Sequence, residues 1–383
     1  MKENQFHNPM RENAYDVPNL LRSQCSEIEK NSRMVLTTPE IYSFQRIVII
    51  GCGDSYAAGL SMKPAIERLT GLPTEVLPVM QFSRYADPDT FGKPGSTLVM
   101  AVSNSGAVAR VAEAVQRATQ LGCLTLAVTA KPESPLAKAS LKRVPISIPP
   151  FAAGSANGVR SYCISMLSLL LVAIRIGEVK GRYMMTDSEA YRAAVCKYAD
   201  AMEQAIPALD EQMLALAQEC VESGREFYDC VGSGGNYGTA WFSQAKIAEA
   251  TGDYAYYSDM ESWMHLNCFF RELDKKVNYI TANFNGPDRS RAEETIDAIA
   301  KMRGLTVVVT ENEAYPLPAN VRPVVLPAAE YDWLSPLLNY LPMALLAGYL
   351  CELKHEAYGR GGRDDWAATA TTTLLTNSKI VIV

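Results

Sequence analysis

Short runs of apolar, largely β-branched residues recur along the chain, each closed by glycine, serine, threonine or proline. In the first half these runs are RIVIIG (Arg46 to Gly51), STLVMAVS ending at Ser103, CLTLAVT ending at Thr129, and VPISIP. They are continuous rather than alternating, the pattern of parallel strands covered on both faces. Between them the spacing predicts helices from about Ser55, from Gly106 to Leu121 and near Leu136, then a long apolar helix from Val159 to Ile176. The second half repeats the plan, with a long helix from about Ala190, a strand in REFYDCVGSGGNYG and a helix through Glu249. VNYITAN, a helix near Asp297, LTVVVT and VRPVVLP follow, and an apolar helix runs from about Ser335 to Leu353. Repeated strand–helix units predict doubly wound parallel sheets, and two successive series predict two copies of one architecture. The expected boundaries are a helical lead-in over 1–45, a first domain over 46–178, a second over 190–355 and a tail over 356–383. The polar stretch Gly177 to Glu189 reads as the linker, and the glycine- and threonine-rich tail shows no helical periodicity.

A chain of 383 residues, 48% hydrophobic and 20% charged, can bury two cores. A net charge of −6 and a pI of about 5.4 argue against nucleic acid or an anionic membrane as partner, because both demand an excess of Lys and Arg. No run looks apolar enough over about 18 residues to span a bilayer. The opening MKENQFHNPM lacks the apolar core of a signal peptide, so a cytoplasmic protein is expected. Nine cysteines are scattered without CxxC spacing, so neither a metal site nor a disulfide framework is expected, and most are expected to be reduced, buried fillers.

Two strand-end loops carry candidate chemistry. Gly51-Cys52-Gly53-Asp54-Ser55 follows the first strand and Ser103-Asn104-Ser105-Gly106 follows a later one, each directly before a helix. Ligands of open α/β sheets bind at such strand ends, where helix-start N–H groups and serine hydroxyls coordinate a phosphate without a lysine. The same residues also serve as ordinary helix caps and tight turns. The loop from Ala153 to Ser161 either reaches a sugar with its backbone and the Ser161 hydroxyl or is simply a glycine-rich connection. In the second half Lys246 and Glu249 share a helix face, which reads as a surface ion pair or as part of a site after Gly232-Ser233-Gly234-Gly235-Asn236. His265, in SWMHLNCFF, is either a buried structural histidine or a catalytic one. Aldose–ketose chemistry needs a base between adjacent carbons and an acid–base group to open the ring; Glu249 and His265 are the available carboxylate and imidazole.

Together these residues resemble the sugar isomerase (SIS) family, specifically the two-SIS isomerase portion of glucosamine-6-phosphate synthase and the related phosphosugar isomerases and fructosamine-6-phosphate deglycases. The likeness begins at Met10-Arg11-Glu12-Asn13-Ala14-Tyr15-Asp16-Val17-Pro18 and covers nearly the whole chain. GCGDS is similar to the family's GCGTS, Ser103-Asn104-Ser105-Gly106 to SQSG, and Gly158-Val159-Arg160-Ser161 to GVAS. Lys246, Glu249 three on, and His265 sixteen further fall at the family's spacing. The resemblance implies two tandem SIS domains, each a parallel sheet flanked by helices in a flavodoxin-like three-layer arrangement. It also implies a phosphate or sugar held by Cys52, Gly53, Ser55, Ser103, Asn104, Ser105, Val159 and Ser161, with Glu249 as proton-shuttling base, Lys246 beside it and His265 for ring opening. A homodimer with composite sites, in which the histidine can come from the neighbouring subunit, and no cofactor are implied as well. Ala107 and Val108 replace the synthase's glutamate and threonine, removing a hydroxyl, and Lys379 alone could match the synthase's Schiff-base lysine. The segment after His265 also lacks the synthase's Gly-Pro. Lys2 follows Met1 where the synthase offers a cysteine, so glutamine-driven amination is not expected. Isomerisation or deglycation of a phosphorylated ketose or ketosamine is the expected reaction, and a non-catalytic sugar-phosphate sensor is the alternative.

Overall fold

The computed structural model describes residues 8–151, 158–271, 273–311, 315–357 and 371–383. The chain divides into two compact units, one made of 20–149, 161–196 and 361–383, the other of 1–19, 150–160 and 197–360. Each contains one five-stranded, wholly parallel sheet.

In the first sheet β1 (Arg46–Gly51), β2 (Thr74–Pro78), β3 (Thr97–Val102), β4 (Leu124–Thr129) and β5 (Lys142–Pro145) lie in the order β2-β1-β3-β4-β5. Ile47 to Ile50 and Leu98 to Val102 are fully buried, which explains the continuous apolar runs. Helix α3 (Asp54–Thr70) links β1 to β2, and α4 (Ala109–Gln120) links β3 to β4. Val111, Ala114, Val115 and Ala118 repeat at helical spacing on α4 and pack on Val48, Ile50, Val99 and Ala101 of the sheet. The helix α5 (Pro135–Ala139) is capped by Ser134, whose hydroxyl accepts from the Ala137 N–H at 3.3 Å. Because the chain leaves β2 at the edge and re-enters at β3 on the far side of β1, the strand order reverses between β1 and β3. That reversal is the crevice where open parallel sheets bind ligands.

The second sheet runs β10-β9-β8-β6-β7, from β6 (Phe227–Gly232), β7 (Tyr254–Ser258), β8 (Lys276–Thr281), β9 (Leu305–Thr310) and β10 (Val321–Val325). Helices α8 (Asn236–Thr251), α9 (Met260–His265) and α10 (Arg289–Ala300) connect its strands. Val231, Ile280 and Val308 pack against Ile296 and Ile299 of α10 and Met260 and Trp263 of α9.

The chain also contains the helices α1 (Pro9–Val35), α2 (Thr38–Ser43), α6 (Val159–Val179), α7 (Met185–Glu222) and α11 (Leu341–Leu353). The helix expected from Ser335 begins as a 3₁₀ turn over Asp332–Leu337 before α11, and the tail expected to be irregular contains α12 (Thr371–Thr376). The expectation that no segment is apolar enough to span a bilayer is corrected: Val159–Val179 and Asp332–Leu353 reach that length and hydropathy. Scattered polar residues hid them from a run-based reading. They are 83% and 100% buried over those windows, as core helices are. Most of the nine cysteines are buried, as expected; Cys196 and Cys268 are half-buried and Cys52 is exposed.

Candidate functional site

Both first-half loops lie at the carboxyl edge of the first sheet, on either side of the β1/β3 reversal. Gly51 ends β1 so close to the next turn that a Cβ there would stand 2.9 Å from Ser55 C and Tyr56 N. The following Gly53 takes φ +55°, and the turn closes through the N–H of Ser55, which donates to Cys52 O at 3.1 Å. The Ser55 side chain is half-buried at the start of α3.

The second loop is pinned more tightly. The Gly106 N–H donates to Ser103 Oγ at 3.2 Å, the Ala107 N–H to Ser105 Oγ at 3.3 Å, and the Ala130 N–H to Asn104 O at 3.1 Å. Gly106 sits at φ +60°, and a Cβ would lie 2.2 Å from Ser134 Oγ, so the loop tolerates only glycine there. Ser103 is buried and Ser105 exposed. The amide oxygen of Asn104 is buried and has no hydrogen-bond partner among the described residues. Helix α4 then starts without a side-chain cap, since its N-cap is Val108. Its first N–H groups are therefore available to an anion. Helix α3 has no side-chain cap either, but Asp54 already supplies negative charge to its first turn. On electrostatic grounds α4 is the better anion seat.

Helix α4 also holds the last described segment. Glu113, whose side chain is fully buried, accepts from Arg84 Nε at 2.7 Å, from Arg110 and from the backbone N–H of Val381 at 2.6 Å. Burial would raise its carboxyl, but the Arg84 and Arg110 hydrogen bonds and the Val381 N–H outweigh that and lower it to about 2. Arg110 Nη2 donates to Ser378 Oγ at 2.6 Å and to Lys379 O at 3.0 Å, and Arg117 Nε donates to Val383 O at 2.9 Å. Lys379 is thus tethered by its backbone to the first turn of α4, which the Ser103–Gly106 loop enters. Sequence reasoning missed Arg110, Glu113 and Arg117; the only signal was a glutamate inside an otherwise apolar helical stripe.

In the other unit, Lys246 lies on α8 with its side chain entirely buried and its Nζ 2.6 Å from Glu249 Oε2, while the Glu249 side chain keeps 43% of its surface. Phe242 lies beneath the ammonium at 5.1 Å. The pair expected from three-residue spacing is formed, but not as a surface pair: its lysine end is buried and only the carboxylate is accessible. His265 is not a buried structural residue: its side chain is 76% exposed on α9 and its Nε2 meets Glu261 Oε1 at 3.0 Å. Glu261 in turn meets Arg291 Nε at 2.6 Å, and the His265 contact, followed by Arg291, holds its carboxyl below the usual range. Beneath α9, Trp263 Nε1 and Asn267 Nδ2 donate to Asp229 at 2.7 and 2.6 Å, and Lys276 Nζ stands 2.8 Å from the same carboxylate.

Val159 is completely buried and its carbonyl accepts from Tyr340 OH at 2.8 Å. Ser161 is half-buried in the first turn of α6, its carbonyl taking the Ser165 hydroxyl. Residues 153–157 of the preceding glycine-rich loop lie outside the described residues. The opening segment is anchored on α7: Arg11 Nε donates to Asp210 Oδ2 at 2.9 Å, as does Tyr15 OH. Arg160 Nε lies 2.7 Å from Asp16 Oδ2.

Residues 40–175 match the family model described as SIS domain. A glutamine–fructose-6-phosphate aminotransferase (isomerizing) of Gloeobacter violaceus is 25% identical over 357 residues, covering 90% of this chain and 56% of that protein. The chain therefore spans about half the length of this curated relative. Among solved structures, the C-terminal domain of glucosamine-fructose-6-phosphate aminotransferase from Francisella tularensis superposes with a TM-score of 0.79 at 16% identity, over 93% of this chain and 99% of that one. Tagatose-6-phosphate ketose/aldose isomerase from Escherichia coli gives a TM-score of 0.73 at 15% identity, over 91% and 94%. Residues 40–175 therefore carry a SIS domain, and the second sheet of corresponding strand order gives the chain the fold of two tandem SIS domains.

Proposed function

We propose that this protein is a phosphosugar enzyme that moves a proton between the carbonyl carbon of a phosphorylated ketose or ketosamine and its neighbour, completing either an isomerisation or a deglycation. The observation that carries the reading is the Ser103–Gly106 loop: serine hydroxyls, an unpartnered Asn104 oxygen and the uncapped start of α4 converge at the strand-order reversal of the first sheet. That arrangement suits a phosphate monoester without spending a lysine on it. The names of the relatives, which act on hexose 6-phosphates, agree with it.

In this mechanism the phosphate docks on Ser103, Asn104, Ser105 and Ser55, with Cys52 and Gly53 lining the turn and Val159 and Ser161 contributing to the sugar's surroundings. His265 transfers the proton that opens the ring. Glu249 then takes the proton from the carbon next to the carbonyl, leaving an enediol or enolamine, and returns it to the adjacent carbon, while Lys246 orients the carboxylate. Deglycation differs only in that return of the proton to the former carbonyl carbon of the enolamine gives an aldimine, which water hydrolyses to the free amine and the aldose phosphate. A homodimer with composite sites is part of the proposal, and so is a cytoplasmic location.

The test is deuterium entry from heavy water into the carbons flanking the carbonyl of hexose phosphates, amino-sugar phosphates and phosphorylated ketosamines, followed by NMR. Incorporation by the wild type, abolished in Glu249→Gln with binding retained, is expected. Wild-type exchange in Glu249→Gln would remove Glu249 from the role. Saturable binding without exchange would instead favour a sugar-phosphate sensor.

A further inference from the structure

A cavity of about 200 Å³ lies within the second-sheet unit, among Tyr237 and Gln244 of α8, Tyr256, Tyr257 and Ser258 of β7, and Ser262, Leu266 and Asn267 in and after α9. Its walls are aromatic: the Tyr237 and Tyr257 rings stand 5.2 Å apart, and Tyr256 lies 6.4 Å from Tyr257. Its polar lining consists of hydroxyls and amides, and none of the lining residues carries a formal charge. The nearby Lys276 ammonium is buried against Asp229 and is spent on that pair.

Asn267 is one of the lining residues. Its side chain is wholly buried, and Asp229 and the Ser258 hydroxyl take its amide N–H groups at 2.6 and 3.1 Å. A carboxylate only accepts, so this orientation of the amide is enforced. The amide oxygen is left with no partner among the described residues. Ser258 Oγ, by accepting from Asn267, keeps its own hydrogen to donate. A buried acceptor without a donor is costly, and Asn267 sits among the residues that line the cavity.

We infer that this cavity is a second binding site, for the ring of an uncharged, polyhydroxylated ligand: a sugar without phosphate. Sugar rings present apolar C–H faces to aromatic walls and hydroxyls of both polarities around their rim, matching tyrosine faces above a lining of Ser, Gln and Asn. The volume is below the roughly 300–1,000 Å³ of sites for drug-sized ligands and suits a single ring. A phosphate finds no cation among the lining residues. Ser262 and Leu266 flank His265 in sequence, so occupancy is felt by the segment that carries this imidazole.

Titration of the full chain with glucose and with N-acetylglucosamine tests the site, by saturation transfer to the sugar and by the His265 ring signals, which are easily resolved among only three histidines. The expected result is saturable binding by the wild type that moves the His265 signals. It should persist in the Ser103→Ala/Ser105→Ala double variant and weaken about tenfold in Tyr257→Ala and, separately, in the half-buried Gln244→Ala. Absence of saturable binding, its loss in the Ser103→Ala/Ser105→Ala variant, or indifference to both Tyr257→Ala and Gln244→Ala would overturn the inference. Because the probes lack phosphate and the readout is not turnover, failure here is distinguishable from failure of the proposed reaction.

Discussion

The backbone N–H of Val381 donates to Glu113 Oε2 at 2.6 Å, so a segment 268 residues away in sequence is fastened to a buried carboxylate of α4. Arg84 and Arg110 share that carboxylate, and Arg110 also reaches the Lys379 carbonyl. One acid therefore organises two guanidinium groups and the strand of chain that carries Lys379.

Glu113→Gln should release this segment, lowering stability by about 2 kcal/mol and speeding amide exchange at Val381. The pH dependence has a definite sign. Because the folded value of about 2 lies below the ordinary 4.5, the carboxylate's contribution is complete above pH 4.5 and is lost as pH falls from there through about 2. Acid unfolding curves of the wild type and Glu113→Gln should accordingly converge across that interval. A constant gap between them would mean that Glu113 does not titrate as a clamped carboxylate.

Ser103→Ala with Ser105→Ala is expected to raise the Kd for hexose 6-phosphates by at least about tenfold, since hydrogen bonds to a charged group contribute about 1.5–3 kcal/mol each. Calorimetry with fructose 6-phosphate reads this directly. Unchanged affinity would move the phosphate seat away from α4.

His265→Ala should leave stability within about 0.5 kcal/mol of wild type, because the side chain is 76% exposed. If the imidazole opens the ring, turnover of a ring-closed substrate should fall about a hundredfold while an open-chain analogue is processed at nearly the wild-type rate. An equal loss with both substrates would assign His265 a different task.

The Asp229–Lys276 pair is almost completely buried, with side-chain exposures of 0% and 1%. Asp229→Ala should therefore cost about 3–5 kcal/mol in urea unfolding, because it leaves an ammonium unpaired among Trp263, Phe227 and Phe270. Adding Lys276→Met should recover part of that loss. Strict additivity of the two changes would show that they do not interact.

The strands β1, β3, β4 and β9 were legible as apolar runs because each is buried on both faces, while β6 and β8 carry the buried polar residues Asp229, Lys276 and Asn278 within such runs. The edge strands β2 and β7 were not legible. TEVLP and YAYYS are partly solvated and carry no such run. The turn between β3 and α4 was legible too, since serine and glycine at a strand end have few other uses. For His265 the sequence leaves a buried and a catalytic reading open, and the structure removes the first: Met260 and Trp263 are buried on a six-residue helix, while the histidine is exposed.

Sequence by itself determined the local chemistry: which segments become strands or helices, the glycine that alone can occupy Gly106, and the Lys246–Glu249 spacing. These follow from burial patterns and backbone sterics acting over a few residues. Tertiary structure alone decided the strand order that reverses between β1 and β3, the choice of Val381 as a partner for Glu113, and the meeting of Asp229, Asn267 and Lys276 beneath α9. A charged or amide group states only that it needs a partner when buried. Which partner it receives depends on how distant segments pack, and no local pattern records that choice.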